Sequence, residues 1–364
     1  MFRLCACVLA ALVLGLGVLA VHRPFVFAAV VALASAAIGI ASLADPTASN
    51  WPANEDKLRR IFDVDALAKQ PFDVASVMHY YQDTTFRDYR ALALATGSSA
   101  MHTDLRPGAW QPYKLGLFRQ LLPVLAHLDG ADRRLQVLEV GFGKGTNTIA
   151  LASYLPHVTF YAVDLVPEHA VHGRELARKA GVNNVIFLEG NMADPPALLL
   201  EQQFDMIFGI ESFCHLDTDG RLDLFLSFAA GALRAAGKIV VVDGFRTDGY
   251  SQLPAGAQLA MKLAESGFRV QRMASKSTWE SLGHGHGFIK TFSQDLTESA
   301  IPFWKQGWRV ANVVLQLPWL ARWFINSSPA RLETGGNFLS VCCTAYAFIM
   351  GSAEYGVLVL QKQT

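Results

Sequence analysis

Glycines and a carboxylate alternate in one short segment, VLEVGFGKGTNT at residues 137–148. Its spacing is E-x-G-x-G-x-G, formed by Glu139, Gly141, Gly143 and Gly145. Glycines let the backbone turn sharply and approach a ligand, and the amides that open a following helix can face a polar group. Thr146 stands where dinucleotide-binding loops have their third glycine, and a carboxylate at Glu139 disfavours a pyrophosphate. The segment therefore predicts a loop for a ligand with a positively charged amino-acid end.

Two polar side chains follow the next apolar runs of the sequence. Asp164 closes YAVD, where an acid can accept both hydroxyls of a ribose, and Asn191 follows VIFLEG, where an amide can pair with an adenine edge. Leu165 and Met192 come directly after them and are expected to line the same site. A site for a cationic head group, an acid that can hold a ribose and a loop unsuited to a diphosphate together predict S-adenosylmethionine as the cofactor. The alternative is a glycine-rich turn that binds nothing.

The elements that position these residues alternate along the chain. Apolar, β-branched runs alternate with stretches of helical periodicity at 168–180 and 221–235. The runs are LQVLEVG, VTFYAVD, VIFLEGN, FDMIFGIES and KIVVVDGF, and 355–361 reads as one more strand. Continuous apolar strands joined by helices predict an α/β fold, with a buried parallel sheet covered by helices on both faces.

At this point the chain resembles the class I S-adenosylmethionine-dependent methyltransferases, in particular the sterol C-24 and tocopherol methyltransferase group. The resemblance rests on four segments: 78–105 with Tyr80, Tyr81, Tyr89 and His102; GIESFCHLD with Glu211, Cys214 and His215; SQDLTESAIPFWKQ; and EYGVLVLQK. It implies a Rossmann-like sheet of seven strands. The double apolar N-terminus lies outside the group's shared core.

The resemblance also implies roles for these residues in methyl transfer to carbon. Tyr80, Tyr81 and His102 would form a lid that lines the pocket, and either Glu211 or His215 would accept the proton that the substrate loses. Glu211 would also contact the cofactor, and Tyr81 and His102 would belong to the catalytic group.

Three functions follow as hypotheses. The first is a membrane-anchored methyltransferase that methylates carbon in a lipophilic small molecule, such as a sterol, a prenyl-quinone or another isoprenoid. The second is an O- or N-methyltransferase of a polar metabolite. The third is an inactive binding module tethered to the membrane.

The first 50 residues are the most apolar part of the chain. They contain only Arg3, Arg23 and Asp45 as charged residues, while the whole chain is 52% apolar and 17% charged. The runs 4–21 and 25–44 flank Pro24, and each is long enough at 1.5 Å per residue to cross a hydrocarbon core of about 30 Å. We therefore expect a transmembrane helical hairpin with a cytoplasmic catalytic domain. A cleaved signal peptide is the alternative.

Four tryptophans lie close together near the C-terminus, as two pairs spaced i, i+4: Trp304 with Trp308, and Trp319 with Trp323. Interleaved basic residues make this composition typical of a helix at a lipid interface, so we expect a membrane-lipid contact and a substrate role for Trp304 and Trp308. A cap packed on the core fits equally well.

The remaining expectations concern partners and boundaries. A formal net charge of zero argues against nucleic-acid binding, and the pair His284 and His286 lacks a third ligand, so no metal is expected. The oligomeric state stays open. We divide the chain into an anchor (1–50), a linker (51–75), N-terminal lid helices (76–130), the methyltransferase core (131–297), aromatic cap or interfacial helices (298–350) and a last strand (351–364).

Overall fold

A computed structural model describes residues 45–85, 102–105, 116, 118–128, 134–216, 220–327 and 329–364. Its central element is one sheet of seven strands. In chain order they are β1 (Gln136–Val140), β2 (Thr159–Asp164), β3 (Val185–Glu189), β4 (Phe204–Ile210), β5 (Leu233–Arg246), β6 (Phe288–Asp295) and β7 (Ala353–Lys362).

The helices fall before, between and after the strands. We number the α-helices α1 (Trp51–Ile61), α2 (Val64–Leu67), α3 (Val74–His79), α4 (Leu121–His127), α5 (Thr146–Tyr154), α6 (Pro167–Ala180), α7 (Ala197–Leu200), α8 (Arg221–Ala232), α9 (Ala255–Gly267), α10 (Lys276–Gly285), α11 (Thr297–Leu315), α12 (Pro318–Ile325) and α13 (Pro329–Ile349). A π-helical turn, Tyr80–Thr85, continues α3.

The strand order is β3-β2-β1-β4-β5-β7-β6. Strands β1 to β5 are parallel, and β7 runs antiparallel between β5 and β6. The direction of winding reverses between β1 and β4, and such a switch point opens a crevice beyond the carboxyl ends of the strands. The predicted seven-stranded Rossmann-like sheet is therefore confirmed.

The central strands are buried on both faces because nearly every residue in them is apolar. Val137, Phe208 and Val240 pack in one core cluster with helices α4, α5, α11 and α13, whereas the neighbouring residues Leu138 and Ile207 pack in a second with α8 and α10. Alternate side chains of a strand point to opposite faces, so continuous apolar runs are what a sheet sandwiched between helix layers requires.

Two segments differ from the pattern read in the sequence. Strand β6 was not among the predicted strands: only its first residue, Phe288, is buried, and the others are exposed at the edge of the sheet without an apolar run or an alternation. The polar stretch 51–75 contains helices α1 and α2, and Trp51 and Leu58 on α1 are buried in a third core cluster. The domain boundaries otherwise stay predictions.

The expectation of a multi-pass membrane location is corrected. No helix in the part of the chain that the structure describes is both long and apolar enough to cross a bilayer. The longest, α13, packs on α9 and α11 in the protein core, and α11 carries Glu298, Lys305 and Arg309. The two runs predicted as a hairpin, 4–21 and 25–44, lie outside the described residues.

The two tryptophan pairs have different environments. Trp308 on α11 is buried, with its ring centroid 5.9 Å from that of Tyr346, and Trp304 is partly buried against Phe268. Trp319 and Trp323 on α12 are 70% and 64% exposed. The first pair therefore packs as a cap on the core, whereas the second faces outward.

Candidate functional site

The glycine loop joins the end of β1 to the start of α5, beside the switch point. Gly141, Gly143 and Gly145 have φ of 67°, 58° and 76°, a region that residues with a Cβ rarely adopt. A Cβ on Gly141 would also lie 2.3 Å from the Cβ of Ser212. The loop needs glycine for both its conformation and its close approach to the β4 end.

Asp164, the last residue of β2, fixes this loop. Its Oδ2 accepts a hydrogen bond from the Gly143 amide at 2.8 Å, and its Oδ1 accepts from the Val166 amide at 3.0 Å and contacts His169 Nδ1 at 2.9 Å. A carboxylate offers about four lone-pair sites, so one remains on Oδ2 for a hydroxyl of a ligand.

Glu139 lies under the loop and is only 2% exposed. Its Oε2 accepts the Thr148 hydroxyl at 2.5 Å. Burial raises the pKa of this carboxyl to about 8, and the nearby Asp164 carboxylate adds to the increase. A cation placed beside Glu139 would restore its charge, as an ammonium group of a ligand would.

At the end of β4, Glu211 holds a strained backbone with φ of 50°. Its Oε1 accepts the Thr103 amide at 2.7 Å and the Tyr355 hydroxyl at 2.8 Å. Such strain costs about 1–3 kcal/mol and persists where the surroundings hold it. Here two hydrogen bonds from distant segments keep the carboxylate in one place.

His215, four residues further on, contacts Tyr81. Its Nε2 lies 2.9 Å from the Tyr81 hydroxyl, and the two rings meet edge to face with centroids 5.4 Å apart. Burial lowers the pKa of His215 to about 4, so the ring is neutral at pH 7. Its Nδ1 is buried and has no partner among the described residues.

His102 approaches the glycine loop from the other side. Its Nε2 lies 3.3 Å from Asn147 Oδ1, an oxygen that can only accept, so Nε2 donates to it. The Nδ1 of His102 is also buried and has no partner within the described segments. Both histidines therefore present a ring nitrogen that a ligand could satisfy.

Two residues of this site were missed in the sequence. Asp243 near the end of β5 accepts the amides of Cys214 at 3.0 Å and Gly244 at 2.8 Å, and burial, with the Glu211 carboxylate, raises its pKa to about 7. Tyr355 on β7 donates to Glu211. For Asp243, the acid that interrupts the apolar run VVVDGF was a visible signal in the sequence. For Tyr355 there was no signal, because 144 residues separate it from Glu211.

The other predicted residues make contacts of their own outside the group formed by Glu139, Asp164, Glu211 and His215. Asn191 uses its side-chain oxygen in a local turn, accepting the Ala193 amide at 2.9 Å, and Met192 packs against the second core cluster. Leu165 follows Asp164, half-buried. Tyr80 is buried and donates to Asn337. Trp304 and Trp308 belong to the packing of α11 and make no contact with the glycine loop or Glu211 among those described.

Metal ligands are not grouped in the described segments. No cluster of three or more His, Cys, Asp or Glu side chains occurs there. His286 lies 2.7 Å from Asp223 at the surface and is engaged in that pair. The expectation of a metal-free enzyme stays a prediction.

The arrangement fits the cofactor that the resemblance implies. The glycine cradle closes against Ser212, Asp164 keeps a free acceptor, Glu139 favours a cation, and His102 and His215 present buried nitrogens without partners in the described structure. A cationic group and a ribose hydroxyl would find complementary groups in this crevice.

Comparison with known proteins agrees with this geometry. Residues 137–237 match the family model described as a methyltransferase domain. Over 207 residues the chain is 26% identical to erythromycin 3''-O-methyltransferase of Saccharopolyspora erythraea, covering 55% of this chain and 67% of that protein.

Two solved structures share the fold at 16% identity. The cyclopropane synthase MmaA2 of Mycobacterium tuberculosis has a TM-score of 0.61, covering 81% of this chain and all of that one. The geranyl diphosphate C-methyltransferase of Streptomyces coelicolor A3(2), solved with Mg²⁺, geranyl diphosphate and S-adenosyl-L-homocysteine, has a TM-score of 0.57, covering 79% and 97%.

Proposed function

We propose that the chain, an S-adenosylmethionine-dependent methyltransferase with a class I domain, methylates carbon in a lipophilic small molecule such as a sterol, a prenyl-quinone or another isoprenoid. The predicted enzyme class and cofactor are confirmed. The proposed proton acceptor rests on one observation above all: a carboxylate, Glu211, is held by Thr103 and Tyr355 at the strand end beside the glycine loop. The proposed substrate class is supported by the fold shared with the geranyl diphosphate C-methyltransferase.

The cofactor supplies an electrophilic methyl group when it is bound. In our assignment, Gly141, Gly143 and Gly145 admit it closely, Asp164 accepts a ribose hydroxyl, and Glu139 pairs with the amino group. Asn191, Leu165 and Met192 line the adenine side, where the Asn191 amide nitrogen remains available because only its oxygen is used in the local turn.

Methylation of an alkene or aromatic carbon requires that the substrate lose a proton. We assign its removal to Glu211, whose carboxylate is fixed by two donors and so needs little reorganisation. His215 positions Tyr81 through the 2.9 Å contact, and Tyr80 supports Tyr81 with its ring centroid 4.9 Å away. His102 closes the loop side of the pocket. The buried aromatic faces would exclude water and attract positive charge on the substrate.

A polar acceptor is the second candidate. The curated relative is named erythromycin 3''-O-methyltransferase, and an O-methyl transfer would place a hydroxyl oxygen where we place a carbon. In that case Glu211 or His215 would take the proton of the hydroxyl. The atom that carries the new methyl group distinguishes the two reactions.

We also propose that α12 contacts membrane lipid. Trp319 and Trp323, one turn apart, are both exposed, and Arg322 between them is exposed as well. Tryptophan with a neighbouring cation is typical of interfacial helices that lie on a bilayer without crossing it. Co-sedimentation of the protein with anionic vesicles should fall when Trp319 and Trp323 are both changed to Ser. It should persist in Leu224→Ser, which removes an exposed apolar side chain on α8. Equal sedimentation of the wild type, the double tryptophan variant and Leu224→Ser would exclude α12 as a lipid-binding surface.

Methyl-labelled S-adenosylmethionine with a lipid extract tests the main proposal. Label should enter the organic phase, with its position on carbon given by NMR. Gly143→Asp should be inactive, because a new carboxylate would face Asp164, and Glu211→Gln should slow turnover while retaining cofactor binding. Label confined to polar products would favour the O-methyl alternative. Cofactor binding without turnover on either pool would leave an inactive binding module.

A further inference from the structure

A second cleft lies apart from the glycine loop, between the segment after α2 and the end of α9. Its volume is about 270 Å³. One wall is residues 67–72 and the other comprises Lys262, Glu265, Ser266 and residues 270–272, with Arg246 of β5 between them. It contains none of the residues assigned above to the cofactor or to proton removal.

The lining of this cleft is strongly cationic. Four basic side chains, those of Lys69, Arg246, Lys262 and Arg272, face a single carboxylate, Glu265. That carboxylate is already bound by Arg246, with N–O distances of 2.8 and 2.5 Å. Arg246 and Glu265 neutralise each other, and Arg272 also interacts with Glu265. Lys69 and Lys262 remain as further cations that give the cleft a positive field.

Two of those cations form no ion pair among the described residues, although Asp65 lies near Lys69. Neither Lys69 nor Lys262 lies within 4 Å of a carboxylate oxygen in the described segments. In contrast, Lys179 and Lys290 elsewhere on the surface each have such a partner. Like charges grouped without counterions are unfavourable unless an anion joins them.

The walls of the cleft are held together. The Phe72 amide donates to Gln271 Oε1 at 2.8 Å, and the Arg269 guanidinium lies 5.3 Å from the centroid of the Phe72 ring. Ser266 is buried in one wall, and its hydroxyl has no hydrogen-bond partner among the described residues. An unpaired buried hydroxyl is costly, and because it is enclosed it does not reach an anion in the cleft.

We propose that this cleft binds a phosphate-type anion, with Lys262 and Lys69 supplying charge beside Arg272. A phosphate group offers several acceptor oxygens, which matches a cleft whose charged groups are four cations around one neutralised carboxylate. A carboxylate ligand would satisfy fewer of them.

The position of the cleft connects it with the reaction site. Arg246 is the last residue of β5, three residues after Asp243, so the two lie about 10 Å apart along the strand at the same edge of the sheet. The segment 67–72 leads directly into α3 and then into Tyr80 and Tyr81. The anion is therefore either a head group of the methyl acceptor or a free phosphate compound bound beside it; the first source rests on the proposed function.

Inorganic pyrophosphate titrated into the full chain by calorimetry tests the site. Binding should weaken with added salt and fall about tenfold in Lys262→Gln, the loss expected for one charge-assisted contact. Lys179→Gln, which removes a surface lysine on α6, should bind like the wild type. No binding to the wild type, or equal loss in Lys179→Gln, would overturn the proposal.

Steady-state kinetics with two matched methyl acceptors, one phosphorylated and one not, distinguish the two sources of the anion. If Lys262→Gln raises KM for a phosphorylated isoprenoid and leaves KM for the corresponding alcohol unchanged, the anion is a substrate head group. If pyrophosphate binding falls but neither KM changes, the cleft holds a free phosphate compound. Failure of both acceptors to be methylated would count against the proposed function, while the pyrophosphate titration would still decide the cleft.

Discussion

Replacing Glu139 with Gln removes the charge beneath the glycine loop while keeping the shape of the side chain. Glu139 is buried, accepts the Thr148 hydroxyl at 2.5 Å, and has a pKa raised to about 8, chiefly by burial. At pH 7 roughly nine in ten free molecules therefore carry it protonated. An ammonium group binds well only to the ionised form, so cofactor binding should release a proton.

The expected effect is a pH-dependent affinity that the variant lacks. For the wild type, binding of S-adenosylhomocysteine should strengthen about tenfold per pH unit from pH 6 toward 8 and then level off. The ligand's own amino group titrates equally in both proteins, so the ratio of the two affinities isolates Glu139. Calorimetry in two buffers of different ionisation enthalpy measures the released proton directly.

Stability gives a second measure with a definite sign. A carboxyl whose pKa is raised on folding, here from 4.5 to about 8, contributes stability that is complete below pH 4.5 and is lost as the pH rises to 8. The free energy of unfolding of the wild type should therefore fall relative to Glu139→Gln by about 1.4 kcal/mol per pH unit in that window. A constant affinity ratio and a constant stability difference from pH 5 to 9 would refute the assignment.

Three further changes test the centre of the site. Tyr355→Phe should lower kcat about ten- to hundredfold with little effect on cofactor affinity, because Glu211 loses one charge-assisted hydrogen bond; an unchanged kcat would remove Tyr355 from the mechanism. Asp243→Asn should stabilise the protein above pH 7 relative to the wild type, since its raised pKa of about 7 makes the charged form unfavourable, and urea unfolding at pH 5 and 8 measures the difference. Gly141→Ala should cost at least about 2 kcal/mol in thermal unfolding, because of its φ and its 2.3 Å approach to Ser212, whereas Gly181→Ala, with φ of 70° and no neighbour, should cost about 1 kcal/mol. Equal losses for the two glycines would contradict the close approach.

The parts of the fold that the sequence predicted are those encoded by local pattern. Strands such as β4, FDMIFGI, are apolar at nearly every position because both faces are buried, and this composition is visible in one window. Strand β6 has no such pattern, since it pairs only with β7 at the edge and keeps one buried residue. Its place in the sheet depends on tertiary pairing, which no local window contains.

The candidate site divides in the same way. Glu139, Asp164 and the glycines lie next to strand ends that the sequence locates, so their convergence could be expected. Tyr355 reaches Glu211 only because β7 inserts between β5 and β6, a connection that spacing along the chain does not reveal. Trp308 shows the converse, since its helical spacing resembles an interfacial stripe although the side chain is buried against Tyr346.

The carboxyl groups around the crevice favour a cationic occupant over a neutral one of the same shape. Glu139 and Asp243 have pKa values raised to about 8 and about 7, so both gain charge between pH 6 and 9, while the sulfonium of S-adenosylmethionine keeps its charge and S-adenosylhomocysteine has none at sulfur. Because the same two ligands are compared in the wild type and in Asp243→Asn, the difference between the two affinity ratios isolates the attraction between sulfur and Asp243. The wild-type ratio should shift toward S-adenosylmethionine as the pH rises, and Asp243→Asn should reduce the shift. A ratio that stays constant across this range would mean that the acids act on the amino end alone, and that the release of product gains nothing from the lost sulfonium charge.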